Sequence, residues 1–145
     1  MDKKTYEKKS SPCNCLNMRR ASHAITEIYD DFLAPSNLTI SQFSIIKHIN
    51  YFGPLNVSEL STLMRLDRTT LVRNLKPLEK NGLVEDIATK GKRNRQLKLT
   101  DKGIATYKYS ENLWQQAQKF FQEYLGKENM DIFTTLLLKI EELTP

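Results

Sequence analysis

Long apolar runs are missing from this 145-residue chain. The longest aliphatic stretch, Leu136 to Leu138, falls far short of the roughly 20 residues that span a bilayer, so no membrane partner is expected. Cysteine is almost absent: Cys13 and Cys15 are the only two, which excludes a disulfide scaffold. Histidine is equally scarce, with His23 and His48 alone, so the Cys-x-Cys pair lacks the further ligands of a metal site. The chain has five glycines and shows no glycine-rich phosphate loop, no Ser/His/Asp spacing and no carboxylate pair in an apolar setting. Neither an enzyme nor a cofactor is expected. Residues 1–10 are charged, with no apolar stretch behind them. That is not the pattern of a secretory signal, and the expected location is the cytoplasm. The length suits one compact domain with a real core.

Acid is scarce in one particular place. The net charge is only +5, but residues 65–102 hold 11 Lys and Arg against five Asp and Glu, while the remainder holds 11 against 12. The whole basic excess therefore sits in one contiguous stretch. Such a patch is the electrostatic footprint of a polyanion partner. A solvated face would explain charge alone, so the motifs inside the stretch have to decide.

Residues 1–15 read as a flexible arm, polar as far as Pro12. From Leu16 the apolar spacing turns helical through Ala21, Ile25, Ile28 and Phe32, until Pro35 and Asn37 stop it. Thr39 with Gln42, and Asn56 with Glu59, have capping-box spacing and open two further helices, separated by Gly53-Pro54. After a tight turn at Leu66-Asp67, Asp67 caps a helix over 67–81 that Gly82 closes. Pro77 within it predicts a mild kink. Two strand-like runs follow, 83–88 and 95–99, joined by a hairpin tip at 89–94. Thr100 caps a long helix over 101–125, Gly126 ends it, and a last helix covers 128–143. The fold class expected is mainly α with a small β wing.

On the helix over 67–81, at about 100° per residue, Leu71, Leu75 and Leu78 share one side. Thr69, Thr70, Arg73 and Lys76 share the other, with Arg68 at the first turn. That outer face carries hydroxyls and cations without a carboxylate, as entry into a DNA major groove requires. Arg73 has the reach for guanine O6 and N7, and the two threonines for phosphates or a thymine methyl. A plain surface helix mixes both signs; here Glu79 is the only acid beyond the cap. The hairpin tip concentrates Lys90, Lys92, Arg93 and Arg95. These like charges repel unless a partner neutralises them, and a narrow minor groove rewards such cations. Following directly on a donor-rich helix, the tip reads as a wing rather than a solubilising loop.

The stretch NVSELSTLMRLDRTTLVRNLKPLEKNGLVE at 56–85, followed by LKLTDKG at 97–103, resembles the winged helix of the multiple-antibiotic-resistance regulator (MarR) family, residues 83–100 being the more specific part. The resemblance implies a winged helix-turn-helix over 37–103 that binds double-stranded DNA. It also implies dimerisation helices over 16–36 and 104–145, a homodimer on a palindromic operator, and a transcriptional regulator, commonly a repressor. The family usually carries Asp-x-Arg in the wing, the Asp bracing the wing against the reading head. Here Gly91 stands at the Asp position, while Arg93 keeps the Arg.

Apolar residues at both chain ends exceed what a small reading head needs. Ile25, Ile28 and Phe32, with Phe133, Leu137 and Ile140, fit either an intramolecular bundle or a dimer interface. The need for two reading helices on one site favours the dimer. Regulators resembling this chain often bind a small aromatic effector between the dimer helices and the reading head. Trp114, Phe120, Phe121 and Tyr124 would permit such a pocket, and core packing explains them more simply. Cys13 and Cys15, near Arg19 and Arg20, read either as an oxidant-sensing switch or as two plain thiols. The alternative function is a winged-helix protein–protein interaction module without DNA binding. Acids or large apolar residues on the outer face of 67–81 would mark it, and the sequence has none there.

Overall fold

A computed structural model describes residues 7–89 and 94–145; residues 1–6 and 90–93 lie outside the described residues. Among the described residues, six α-helices and one two-stranded antiparallel sheet follow in the order α1 (Asn14–Leu33), α2 (Ile40–Phe52), α3 (Val57–Met64), α4 (Arg68–Lys80), β1 (Val84–Asp86), β2 (Leu97–Leu99), α5 (Asp101–Leu125) and α6 (Lys127–Glu141), with a short 3-10 turn (Ala34–Ser36) after α1. The mainly helical class with a β wing is therefore the observed one. No helix among the described residues is long and apolar enough to cross a membrane.

The helix starts follow from local hydrogen-bond chemistry. Both capping boxes form: Thr39 Oγ1 accepts from the Gln42 amide at 3.2 Å while Gln42 Oε1 accepts from the Thr39 amide at 3.1 Å. Asn56 and Glu59 exchange the same pair of bonds at 2.8 and 3.0 Å. Each satisfies amides that a helix start leaves without partners. Asp30 adds a tertiary cap, accepting from the Ile40 amide at 2.7 Å and tying α1 to α2. α1 begins at Asn14, within the stretch read as an arm, because the Cys13 sulfur accepts from the Leu16 amide at 3.5 Å. The turn between α3 and α4 closes on Arg65, which takes the left-handed conformation at φ 51°.

One core organises the reading head. Phe43, Ile46, Ile49, Leu60, Leu71, Leu75, Leu78 and Leu97 are buried together. Each large side chain withdrawn from water contributes roughly 1.5–3 kcal/mol before entropy is counted. The leucines spaced along α4 thus orient that helix with its other side outward. The strands are shorter than the sequence runs predict. Val84 faces Leu99 and Asp86 faces Leu97 in register. Beyond that the Asp86 carboxylate accepts from the Ala88 and Gln96 amides, both at 2.9 Å. A side chain that takes over these donors ends the ladder. One pairing has no counterpart in the sequence reading. Leu55, just past Gly53-Pro54, bridges Leu97, donating to its carbonyl at 3.2 Å and accepting from its amide at 2.8 Å. It attaches the wing to the loop between α2 and α3.

Candidate nucleic-acid interface

The outward side of α4 carries the residues that sequence reasoning placed there. Thr69, Arg73 and Lys76 are exposed, and among the described residues neither Arg73 nor Lys76 is in an ion pair. Thr70 is half-buried and serves the cap. Its hydroxyl donates to Asp67 Oδ2 at 2.6 Å and its amide to Oδ1 at 2.8 Å. These bonds, the hydroxyl first, hold the Asp67 carboxyl below the usual carboxylate range. The cap therefore stays charged at neutral pH, where it favours the positive end of the helix dipole. Of the five α4 residues singled out in the sequence, Arg68, Thr69, Arg73 and Lys76 are exposed, and Thr70 is the one turned to the cap.

Arg68 reaches back to the preceding helix, donating from Nη1 to Ser58 Oγ at 3.2 Å. Ser58 lies in the first turn of α3 and is exposed. Sequence reasoning missed it, because only the fold brings the starts of α3 and α4 side by side. The pair presents a guanidinium and a hydroxyl next to the α4 face, the donor chemistry that suits a phosphate.

Of the wing cations, Lys90, Lys92 and Arg93 lie outside the described residues. Arg95 is described and turns toward the protein. Its guanidinium pairs with Glu79 on α4, and its Nε donates to Asp86 Oδ2 at 3.2 Å. The signals for this arrangement were the acids at 79 and 86, two of the five in an otherwise basic segment. The base of the wing is also clamped to the ends of α4 and α5. The Thr100 amide donates to the Leu83 carbonyl at 3.1 Å, and Lys102 Nζ to the Asn81 carbonyl at 2.8 Å.

The residues expected at a dimer interface fall into two surfaces. α6 has no buried residue: Phe133, Leu137 and Ile140 are 37, 41 and 41% exposed, with Ile132, Leu136 and Leu138 also open. Ile25 and Ile28 line an open apolar groove of about 340 Å³ with Phe120, Phe121 and Tyr124. The Phe32 ring packs on Phe120 with centroids 5.6 Å apart, so α1 and α5 form an intramolecular pair that leaves this groove uncovered. Trp114 belongs to the core. It stacks on Phe43 at 5.7 Å with Lys47 Nζ 3.7 Å above its ring, and for that residue the simpler reading holds. Cys13 and Cys15 are exposed at the start of α1. Among the described residues no cluster of three His, Cys, Asp or Glu side chains has metal-site geometry.

Comparison with known proteins gives a consistent picture. The model of the MarR family matches residues 38–90. The HTH-type transcriptional regulator SarZ of Staphylococcus haemolyticus is 33% identical over 91 residues, 62% of each chain. Among solved structures, the M. tuberculosis transcriptional regulator MosR in complex with DNA is 32% identical with a TM-score of 0.76, the match covering 90% of this chain and 97% of that one. The transcriptional repressor CouR bound to a 23-mer DNA duplex is 28% identical with a TM-score of 0.80, covering 94 and 99%. CouR bound to p-coumaroyl-CoA matches with a TM-score of 0.80 at 28% identity, covering 89 and 91%.

Proposed function

Because this chain belongs to the MarR family of winged-helix transcriptional regulators, we propose that it binds double-stranded DNA sequence-specifically, as a homodimeric repressor on a palindromic operator in the cytoplasm. The carrying observation is the outward face of α4, where Thr69, Arg73 and Lys76 stand exposed, within the stretch that holds the chain's basic excess. The structures of MosR and CouR on DNA support the reading. The uncovered helix α6 supports the dimer, since two reading helices one duplex turn apart demand a two-fold protein. A small aromatic effector that loosens the operator complex is supported by CouR with p-coumaroyl-CoA and by the aromatic residues beside the α1–α5 groove.

Selection from a random duplex pool, followed by binding measurements at several salt concentrations, tests the proposal. A protein that enriches no site, and whose weak binding varies only with salt, would return the chain to the interaction-module alternative. On the selected operator, Arg73→Ala is expected to cost about 2 kcal/mol and to relax preference at one base position. Arg93→Ala, on the wing, is expected to weaken operator and random duplex alike and to lower the salt slope by about one. The reversed pattern would mean that the hairpin reads the bases and α4 rests on the backbone.

Oxidation is a second route of release, favoured by the position of Cys13. Its sulfur caps α1 while Cys15 stands exposed in the first turn. Peroxide would join the two thiols as a disulfide, with two waters released, and would withdraw the cap. Peroxide is expected to weaken operator binding by the wild type and to leave the Cys13→Ser, Cys15→Ser double variant unaffected. Equal responses would reduce the pair to plain thiols.

A further inference from the structure

We propose that Arg95 is a positioning residue that clamps the wing to the recognition helix. The inference rests on the DNA-binding reading above and assigns Arg95 a role inside the protein instead of on the duplex. Three separate segments meet at its guanidinium. Glu79 projects from the last turn of α4, Asp86 ends β1, and Arg95 lies just before β2. One planar group with several donors can join two carboxylates in this way, and a lysine would hold neither with the same geometry.

The surroundings suit a fixed clamp. The side chains of Arg95, Glu79 and Asp86 are 38, 27 and 33% exposed, so salt screens the contacts less than it would at an open surface. The second oxygen of Asp86 is occupied by the amides of Ala88 and Gln96, which prevents the carboxylate from swinging away. Those amides, Gln96 first, also hold the Asp86 carboxyl below the usual range, so it remains charged. Two acids already engage the one guanidinium, so it has less free charge to offer a phosphate than an arginine without them would have.

That difference supplies the test. If Arg95 positions the wing, Arg95→Ala lowers operator affinity by about tenfold, within the range of coupled pairs, and leaves the salt slope unchanged. Glu79→Gln also weakens binding, even though it removes negative charge, and adding it to Arg95→Ala produces no further loss. If Arg95 contacts phosphate, Arg95→Ala lowers the slope by about one and Glu79→Gln strengthens binding; that result overturns the proposal. Amide hydrogen exchange on the DNA-free protein reads the clamp independently. Exchange at Ala88 and Gln96 rises in Arg95→Ala while Leu71 and Leu75 in α4 stay protected. Unchanged exchange at Ala88 and Gln96, or exchange that rises throughout the reading head, overturns the clamp. Should the wild type bind no duplex at all while the exchange result appears as expected, the DNA reading fails and the clamp stands.

Discussion

Leu137→Asp is expected to convert a dimer of about twice 16.9 kDa into monomers and to lower operator affinity by about 100-fold or more, as loss of two-site binding does. The reason lies in α6. Its helix buries no residue in its own chain, yet Ile132, Phe133, Leu136, Leu137, Leu138 and Ile140 are all open. A monomer rarely exposes so continuous an apolar face. Covering each such side chain with a second copy contributes roughly 1.5–3 kcal/mol. An aspartate in the middle of that contact loses the leucine's share and buries an unpaired charge, which costs several kcal/mol more. Because α6 adds nothing to the core around Phe43 and Leu71, the variant should remain folded, with its circular dichroism little altered. Light scattering and operator titration read the two effects together. A native protein that is monomeric at micromolar concentration, or a variant that is still dimeric, would remove the interface from α6.

Gly103→Ala is expected to lower folding stability by about 3 kcal/mol, at the upper end of the penalty for overpacking. A Cβ at this position would stand 2.0 Å from the Leu83 carbonyl oxygen and 3.0 Å from its carbon. Neither partner can yield. The Leu83 amide donates to Leu78 at 2.9 Å and its carbonyl accepts from Thr100 at 3.1 Å, while Gly103 is itself held by the Thr100 hydroxyl at 3.0 Å. Alanine's better helix propensity offsets only about 1 kcal/mol. Gly126→Ala makes an informative comparison. It meets no atom within 4 Å, so its cost comes from the backbone alone, at φ 82° and ψ 156°, a region essentially reserved for glycine, and about 1–3 kcal/mol is expected. Urea unfolding of both variants measures the two costs. Equal midpoints for Gly103→Ala and the wild type would show that the start of α5 can move away from the wing.

Both results bear on what the chain order alone could reveal. Thr39, Asn56, Asp67 and Thr100 were readable as caps because each bonds amides within three residues of itself. Leu71, Leu75 and Leu78 were readable as an inner face because helical geometry places them there whatever lies opposite. The glycine of the LTDKG motif could be noticed but not explained: its requirement comes from the Leu83 carbonyl, which reaches it only through the hairpin. The sulfur cap at Cys13 escaped because helix starts are sought among oxygen-bearing side chains.

The amino-acid sequence by itself determined the helical order, the outward face of α4 and the basic stretch around it, since these follow from neighbours along the chain and from composition. Tertiary structure alone decided which partners the charges take. Arg95 looks like another wing cation until the hairpin folds back, bringing Glu79 and Asp86 to its guanidinium. The Leu55–Leu97 bridge likewise consists of one residue on each side, with no periodicity to announce it. The emptiness of α6 is visible only once the chain has folded and the core has closed without it. Periodic patterns are local and repeat, so they survive in a linear reading; a contact made once between distant segments leaves no pattern, and its energy is defined only after the chain has closed.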